Sequence, residues 1–266
     1  MVRILFVGDV IGRPGRRAVR ELLPQLEEQH LIDYTIVNVE NSAGGFGVTP
    51  AVLREFEDLE IDCYTTGNHI WDKRDGVALL DQPEWRLLRP ANYPSANPGV
   101  GLHVGQTASG VPIATLNLEG QVFMKGLRSP FEAADELLSG LRESHPELRI
   151  VVVDFHAEAT SEKQAMAFHL DGRVAAVLGT HTHVPTADAC VLPGGTAFQC
   201  DVGMSGPYES IIGRDIKRVM QTTRSFEPTH FHVATRDVRL CGALIECDEN
   251  GRAKSIERFE KRIESK

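Results

Sequence analysis

Five short apolar runs in this chain each stop at a residue that can hold a metal ion, and this regularity constrains the fold most. Arg3–Gly8 ends in Gly8-Asp9, Tyr34–Val39 in Glu40-Asn41, and Cys63–Thr66 in Gly67-Asn68-His69. Ile150–Phe155 is followed by His156, and Val174–Leu178 by Gly179-Thr180-His181-Thr182-His183. Runs of this length, rich in β-branched residues, read as buried strands. Helical stretches separate them. Arg16–Gln29 is one. Pro50–Leu59 is another, with Thr49 as N-cap and Leu53, Phe56 and Leu59 at helical spacing. A third starts at Ser129, Pro130 and Glu132 with a capping box and has Leu137, Leu138 and Leu141 as its apolar face. Glu158–Lys163 reads as a further helix start, with Ser161 and Gln164 as its box.

The last third changes character. Val191–Leu192 and Ala197–Gln199 flank Pro193-Gly194-Gly195, and Leu240–Cys247 and Ala253–Phe259 flank Asp248-Glu249-Asn250-Gly251. Both read as hairpins. Gln82 to Gly110 is rich in Pro, Gly and Asn and reads as an irregular excursion. The sum is an α/β protein, parallel early and antiparallel late. The 266 residues suit one large domain or two small ones, and we take 1–266 as a single domain.

Composition narrows the function. A formal net charge of −9 argues against charge-driven nucleic-acid binding but leaves room for a small phosphate ester held through cations. The five cysteines are scattered without a CxxC pair, so neither a disulfide framework nor a thiolate zinc site is expected, and a reducing cytoplasm suits them. Nothing resembles a membrane span, and Met1 to Val7, cut short by Asp9, lacks a signal-peptide layout.

Ligand sites in α/β sheets gather at the carboxyl ends of strands, so the five loops are expected to converge. Carboxylates and imidazoles suit divalent Mn, Fe or Zn. A carboxylate shared by two ions about 3.5–4 Å apart would activate water and hold phosphate oxygens.

These blocks resemble those of the calcineurin-like metallophosphoesterases, whose pattern is Asp-x-His, Gly-Asp, Gly-Asn-His, a lone His and Gly-His-x-His. Here they stand in order as Asp9-Val10-Ile11, Glu40-Asn41, Gly67-Asn68-His69, His156 and Gly179-Thr180-His181-Thr182-His183. Ile11 replaces the first histidine, and Glu40-Asn41 replaces the usual acidic pair. With VGDVIGRPG, ENSAGG, TTGNHIWD, HAEATSEK and GTHTHVPTAD around them, both departures are similar to the YmdB-like branch of bacterial phosphodiesterases. The resemblance implies a four-layer α/β/β/α sandwich of mixed sheets, two divalent metals (Fe or Mn), and hydrolysis of 2′,3′-cyclic nucleotides and other phosphodiesters. It also implies that Asp9, Asn41 and His183 bind one metal and Asn68, His156 and His181 the other. Glu40 would bridge them, and His69 would face the leaving oxygen. A homo-oligomer is compatible with all of this.

Blander readings stand beside these. Asp9 alone would be a turn former, and His156 alone a satisfied core histidine. Gly12, Arg13 and Gly15 fit either a phosphate cradle or a simple turn. Trp71 suits a stacked base or a buried rim, and Ser205 and Arg214 are candidates to touch substrate. His230 and His232 read as structural members of a Phe-rich strand. The rival functions are a phosphomonoesterase on the same fold, an amidohydrolase-type dinuclear enzyme and a nucleotide-sensing regulatory protein. His69 speaks against the last, since a pure binder needs no group aimed at a leaving oxygen.

Overall fold

The apolar runs become strands in the computed structural model of the protein, which describes residues 1–125 and 128–264. In chain order the strands are β1 (Val2–Val7), β2 (Tyr34–Asn38), β3 (Cys63–Thr65), β4 (Leu102–Gln106), β5 (Pro112–Glu119) and β6 (Ile150–His156). β7 (Ala176–Thr180), β8 (Cys190–Val191), β9 (Ala197–Gln199), β10 (Gly206–Pro207), β11 (Val238–Cys247) and β12 (Ala253–Arg262) follow. The helices are α1 (Gly12–His30), α2 (Pro50–Arg54), α3 (Arg74–Val77), α4 (Pro130–Ser144), α5 (Thr160–His169) and α6 (Ile216–Ser225).

Two sheets result. The first has the order β10-β11-β1-β2-β3, with β12 paired to β11; β1, β2 and β3 are parallel and β11 runs against β1. The second has the order β4-β5-β6-β7-β9-β8, parallel from β5 to β9 and antiparallel at both edges. Each sheet is therefore mixed, with its antiparallel strands added at the margins.

Three apolar clusters fill the spaces between four layers. Ile4, Phe6 and Ile36 of the first sheet meet Ile113, Val152 and Leu178 of the second. On the outer face of the first sheet, Leu5 and Val7 pack with Val19, Leu23 and Leu26 of α1. On the outer face of the second, Leu116, Val153 and Phe155 pack with Leu138 of α4 and Met166 of α5. Each fully buried side chain of this size contributes about 1.5–3 kcal/mol, so alternate residues of one strand are committed to opposite layers. This is the α/β/β/α sandwich expected from the resemblance.

Several local expectations change. The second helix stops at Arg54 instead of Leu59; Phe56 is buried through turns, which share the i, i+3 repeat of a helix. The capping box proposed at Ser161 and Gln164 is not formed. The N-cap of α5 is Ala159 and makes no side-chain cap bond, while Glu162 accepts the backbone N–H groups of Gln121 and Val122. The excursion from Gln82 holds turns up to Gly101 and then becomes β4, which pairs with β5, a strand the sequence reading did not identify. His230 and His232 lie outside any strand, and both are exposed. The two hairpins of the last third form as expected.

Candidate metal centre

The carboxyl ends of β1, β2, β3, β6 and β7 bring their polar residues together, which is what strand direction in two stacked sheets requires. Asp9, Glu40 and His156 are fully buried, and His181 and His183 are half-buried above them. Two groups of three share a carboxylate. Ligand atoms of Glu40, His156 and His181 lie within 4.8 Å of one another, and so do those of Asp9, Glu40 and His183.

The first group is densely supported. His156 Nε2 lies 3.2 Å from Glu40 Oε1, 3.1 Å from Asn68 Oδ1 and 3.1 Å from His181 Nδ1. One ring nitrogen carries at most one proton, so these lone pairs cannot all be answered by hydrogen bonds. Behind the ring, His156 Nδ1 meets Thr180 Oγ1 at 2.9 Å, and Thr180 donates to Asp154 at 2.7 Å. Asp154 also accepts from Asn38 and Thr65. Gly67 is required here, because a Cβ would run into both His156 and Glu40.

The second group rests on loops. His181 and His183 have positive φ, 93° and 66°, an uncommon conformation for non-glycine residues that the surroundings must hold in place. His181 N donates to Asp9 Oδ2, and His183 Nδ1 faces the Ile212 carbonyl at 3.0 Å. Asn41 Nδ2 donates to Glu40 Oε1 at 2.9 Å and lies 3.3 Å from His183 Nε2. An amide flip would present Oδ1 at that point instead, and the two orientations are interchangeable by shape. Ile11 is buried and fills the loop beside Gly206 and Gly213, where a Cβ would come within 3.0 Å of it.

The electrostatics suit cations. Burial pushes the Glu40 carboxyl up, but the charge and hydrogen bond of His156 outweigh it and hold Glu40 below the usual carboxylate range. Burial works against charge on His156, yet Glu40 lifts it to about 9. Burial and the neighbouring His156 pull His181 down to about 3. Asp9 is pushed up by burial, and its Oδ1 has no hydrogen-bond partner among the described residues. An orphaned buried oxygen costs about 1–3 kcal/mol, and a divalent cation is the partner that this oxygen and the neighbouring imidazoles fit.

His69 stands at the mouth, half-buried. Its Nδ1 meets Asp72 Oδ2 at 2.7 Å, while its backbone N–H donates to Glu40 Oε2. Asp72 was not singled out from the sequence, although its i, i+3 spacing from His69 was there to read. Phe46 lies 5.7 Å from the His69 ring and 4.3 Å from that of Phe231, over which the Arg214 guanidinium sits at 4.7 Å. Asp201 is another residue the reading missed. It pairs with buried Lys163 at 2.8 Å and accepts from both N–H and Oγ1 of Thr182, pinning the loop between the two histidines.

Other candidates take structural places. Ser205 Oγ donates to the Cys241 carbonyl and accepts from its N–H, so its hydroxyl is spent on β11 rather than on substrate. Gly12 N donates to the Asn41 carbonyl and Gly15 packs against the Ser205 carbonyl, so Gly12–Gly15, the first turn of α1, is packed closely on neighbouring backbone. Trp71 lies 5.0 Å from Tyr93 and packs on the outer cluster of the first sheet, burying the rim.

Residues 5–259 match a family model described as YmdB-like protein. The chain is 42% identical to the 2′,3′-cyclic-nucleotide 2′-phosphodiesterase of Bacillus subtilis (strain 168), over 97% of this chain and 96% of that one. It is similar to the crystal structure of a hypothetical protein from Thermus thermophilus, with a TM-score of 0.90 and 39% identity over 98% of this chain and 99% of that one. The crystal structure of a novel phosphatase from Mycoplasma pneumoniae also gives a TM-score of 0.90, at 31% identity over 98% and 93% of the two chains.

Proposed function

Because the chain belongs to the YmdB-like protein family, we propose that it is a dinuclear-metal phosphodiesterase that hydrolyses small phosphodiesters such as 2′,3′-cyclic nucleotides. The observation that carries this reading is the convergence of two carboxylate–imidazole groups on one shared residue, Glu40. Glu40 would bridge two ions. Asp9, Asn41 and His183 would complete one position, and Asn68, His156 and His181 the other. Oxygen ligands from Asp9, Glu40 and two asparagines favour Mn or Fe. Held there, divalent ions would supply Lewis-acid stabilisation of charge on the phosphoryl group and lower the pKa of water toward neutral.

The chain's own residues supply the rest. The Asp72 carboxylate fixes the His69 ring through Nδ1, leaving Nε2 for the substrate side. In a 2′,3′-cyclic substrate, water adds to phosphorus opposite the 2′ oxygen and the P–O2′ bond breaks. His69 Nε2 delivers a proton to that oxygen, leaving a 2′-hydroxyl and a 3′-phosphate. With a net charge of −9 there is little to hold a long polyanion, which supports small substrates. The cysteines are all unpaired, which supports a reducing compartment, the cytoplasm. Among the described residues no helix is long and apolar enough to cross a membrane.

Turnover of metal-loaded protein on 2′,3′-cyclic AMP, a linear diester and a phosphomonoester tests the proposal. We expect both diesters to turn over faster than the monoester. Monoester hydrolysis with no diester turnover would make the enzyme a phosphatase.

A further inference from the structure

At the opposite end of the second sheet from the metal centre, five cationic side chains ring one cavity of about 690 Å³. They are Arg142 near the end of α4, Arg149 just before β6, Arg173 ahead of β7, and Arg252 and Lys254 at the β11–β12 hairpin. Among the described residues the only carboxylate in the lining is Asp248. It is already used: it accepts the N–H groups of Asn250 and Arg252 and pairs with Lys254 at 2.8 Å. Arg173 pairs with Asp135 outside the lining, and Arg149 donates to the carbonyls of Pro146 and Leu148. Neither Arg142 nor Arg252 forms an ion pair among the described residues. In a chain of net charge −9, five cations around one concavity, with only Arg173 and Lys254 in ion pairs among the described residues, are a local anomaly.

The floor is of different character. Half-buried Leu148 and the outer edges of buried Leu138, Leu141, Val151 and Val174 line it with aliphatic surface, continuous with the outer core of the second sheet. An inorganic anion would leave that floor unused, and an apolar ligand would leave the rim unused. A ligand with an apolar planar body and several negative charges uses both. The volume falls within the roughly 300–1,000 Å³ of small-molecule sites, and guanidinium forks match phosphate oxygens two at a time. A long nucleic acid would need a basic track, and the cations here surround a single concavity.

We propose that this cavity is a second binding site, separate from the metal centre, for a nucleoside triphosphate, whose base lies on the aliphatic floor while its phosphates face Arg142, Arg149 and Arg252. The site is distant from the metal centre. β6 runs from Ile150 beside the cavity to His156 at the centre, a span of about 20 Å at the usual strand rise. The proposal does not depend on the phosphodiesterase reading, because the two sites share no residue.

The test is titration calorimetry of the full chain with ATP, pyrophosphate and adenosine. ATP should bind, and pyrophosphate and adenosine should each bind at least about tenfold more weakly, because each engages half of the site. Replacing Arg142 and Arg252 together by Ala should weaken ATP about tenfold or more, with thermal unfolding unchanged since both side chains are exposed. Glu40→Gln, compromised at the metal centre, should bind ATP as the wild type does. The proposal fails if ATP does not bind, or if pyrophosphate binds as tightly as ATP. It also fails if binding is lost in Glu40→Gln but unaffected in the double arginine variant.

Discussion

The carboxyl and amino ends of the parallel strands of the first sheet both draw acids out of full exposure, burying them at the carboxyl end and half-burying them at the amino end, and the two ends treat them differently. At the amino end, Asp33 accepts the Arg3 N–H at 2.8 Å, Asp62 accepts the Thr35 N–H at 2.8 Å, and Glu27 accepts the Thr35 hydroxyl at 2.8 Å. These acids close off strand ends. At the carboxyl end, Asp9 and Glu40 face imidazoles and amides from other strands, and Asp9 keeps an oxygen unpaired. Burial raises the carboxyl pKa of Glu27 to about 7 and lifts Asp62 as well, while Glu40 is held low by His156. An acid withdrawn from solvent therefore does not by itself mark a site. What marks it is convergence with imidazoles from separate strands.

The comparison breaks most sharply at Glu40. Glu40→Gln keeps the shape but leaves one acceptor where Asn41 Nδ2 and the His69 N–H each use a carboxylate oxygen, and it removes the charge that would offset repulsion between two cations. Both ions should be lost together and turnover with them, an effect beyond the ~10–100-fold that losing a mere supporting contact costs in metal affinity. Metal analysis of the purified variant decides this. Two retained ions would reduce Glu40 to the structural class of Glu27.

Next in size is His69→Ala. The side chain is on the rim and its ring contacts Asp72 and Phe46, so metal content and folding should survive. The value of kcat should fall by about 10²–10⁴-fold, the usual worth of a positioned acid. Unaltered turnover would leave His69 a packing residue.

What the sequence made legible follows the same divide. Asp9, Glu40, Asn68, His156, His181 and His183 could be found because each sits at the end of an apolar run, and strand polarity sends those ends to one place. The residues that hold them could not be found that way. Asp201 is 38 positions from Lys163, and no local periodicity reports such a pair. Asp154 was readable in principle as a lone acid inside Ile150–His156, but only the three-dimensional arrangement gives it Asn38, Thr65 and Thr180 as partners. β5 escaped because Asn117 and Glu119 interrupt its apolar pattern. Both are buried, Asn117 between the sheets' polar ends and Glu119 beside His156 in register. The Phe-rich segment around Phe231 read as a strand from composition, whereas its aromatic ring is spent on Phe46 and Arg214.

A smaller effect is expected from Asn41→Ala, which separates the two halves of the centre. Asn41 contacts Glu40 and His183, whereas Asn68 serves His156, and Ile11 offers no donor atom. The Asp9/His183 position should lose occupancy while the Asn68/His156/His181 position keeps its ion. Anomalous diffraction on the variant reads this directly, and equal occupancy at both positions would exclude Asn41 as a ligand.

The smallest effect lies at the amino end and reads out in stability rather than catalysis. Glu27 sits on α1 against β2, half-buried, with its carboxyl raised from an ordinary 4.5 to about 7 by burial and by nearby Glu60 and Asp62. The folded state therefore holds its proton more tightly than the unfolded chain. The stability this contributes is fully present below about pH 4.5 and is lost as pH rises through about 7. Gln is the neutral isostere and can still accept from the Thr35 hydroxyl, so Glu27→Gln should not titrate. Its Tm should match the wild type at pH 4 and exceed it at pH 8, with turnover unchanged at both. A difference in Tm that stays constant across that range would mean that folding does not shift the Glu27 carboxyl. The amino-end acids would then be balanced by something other than their own protons.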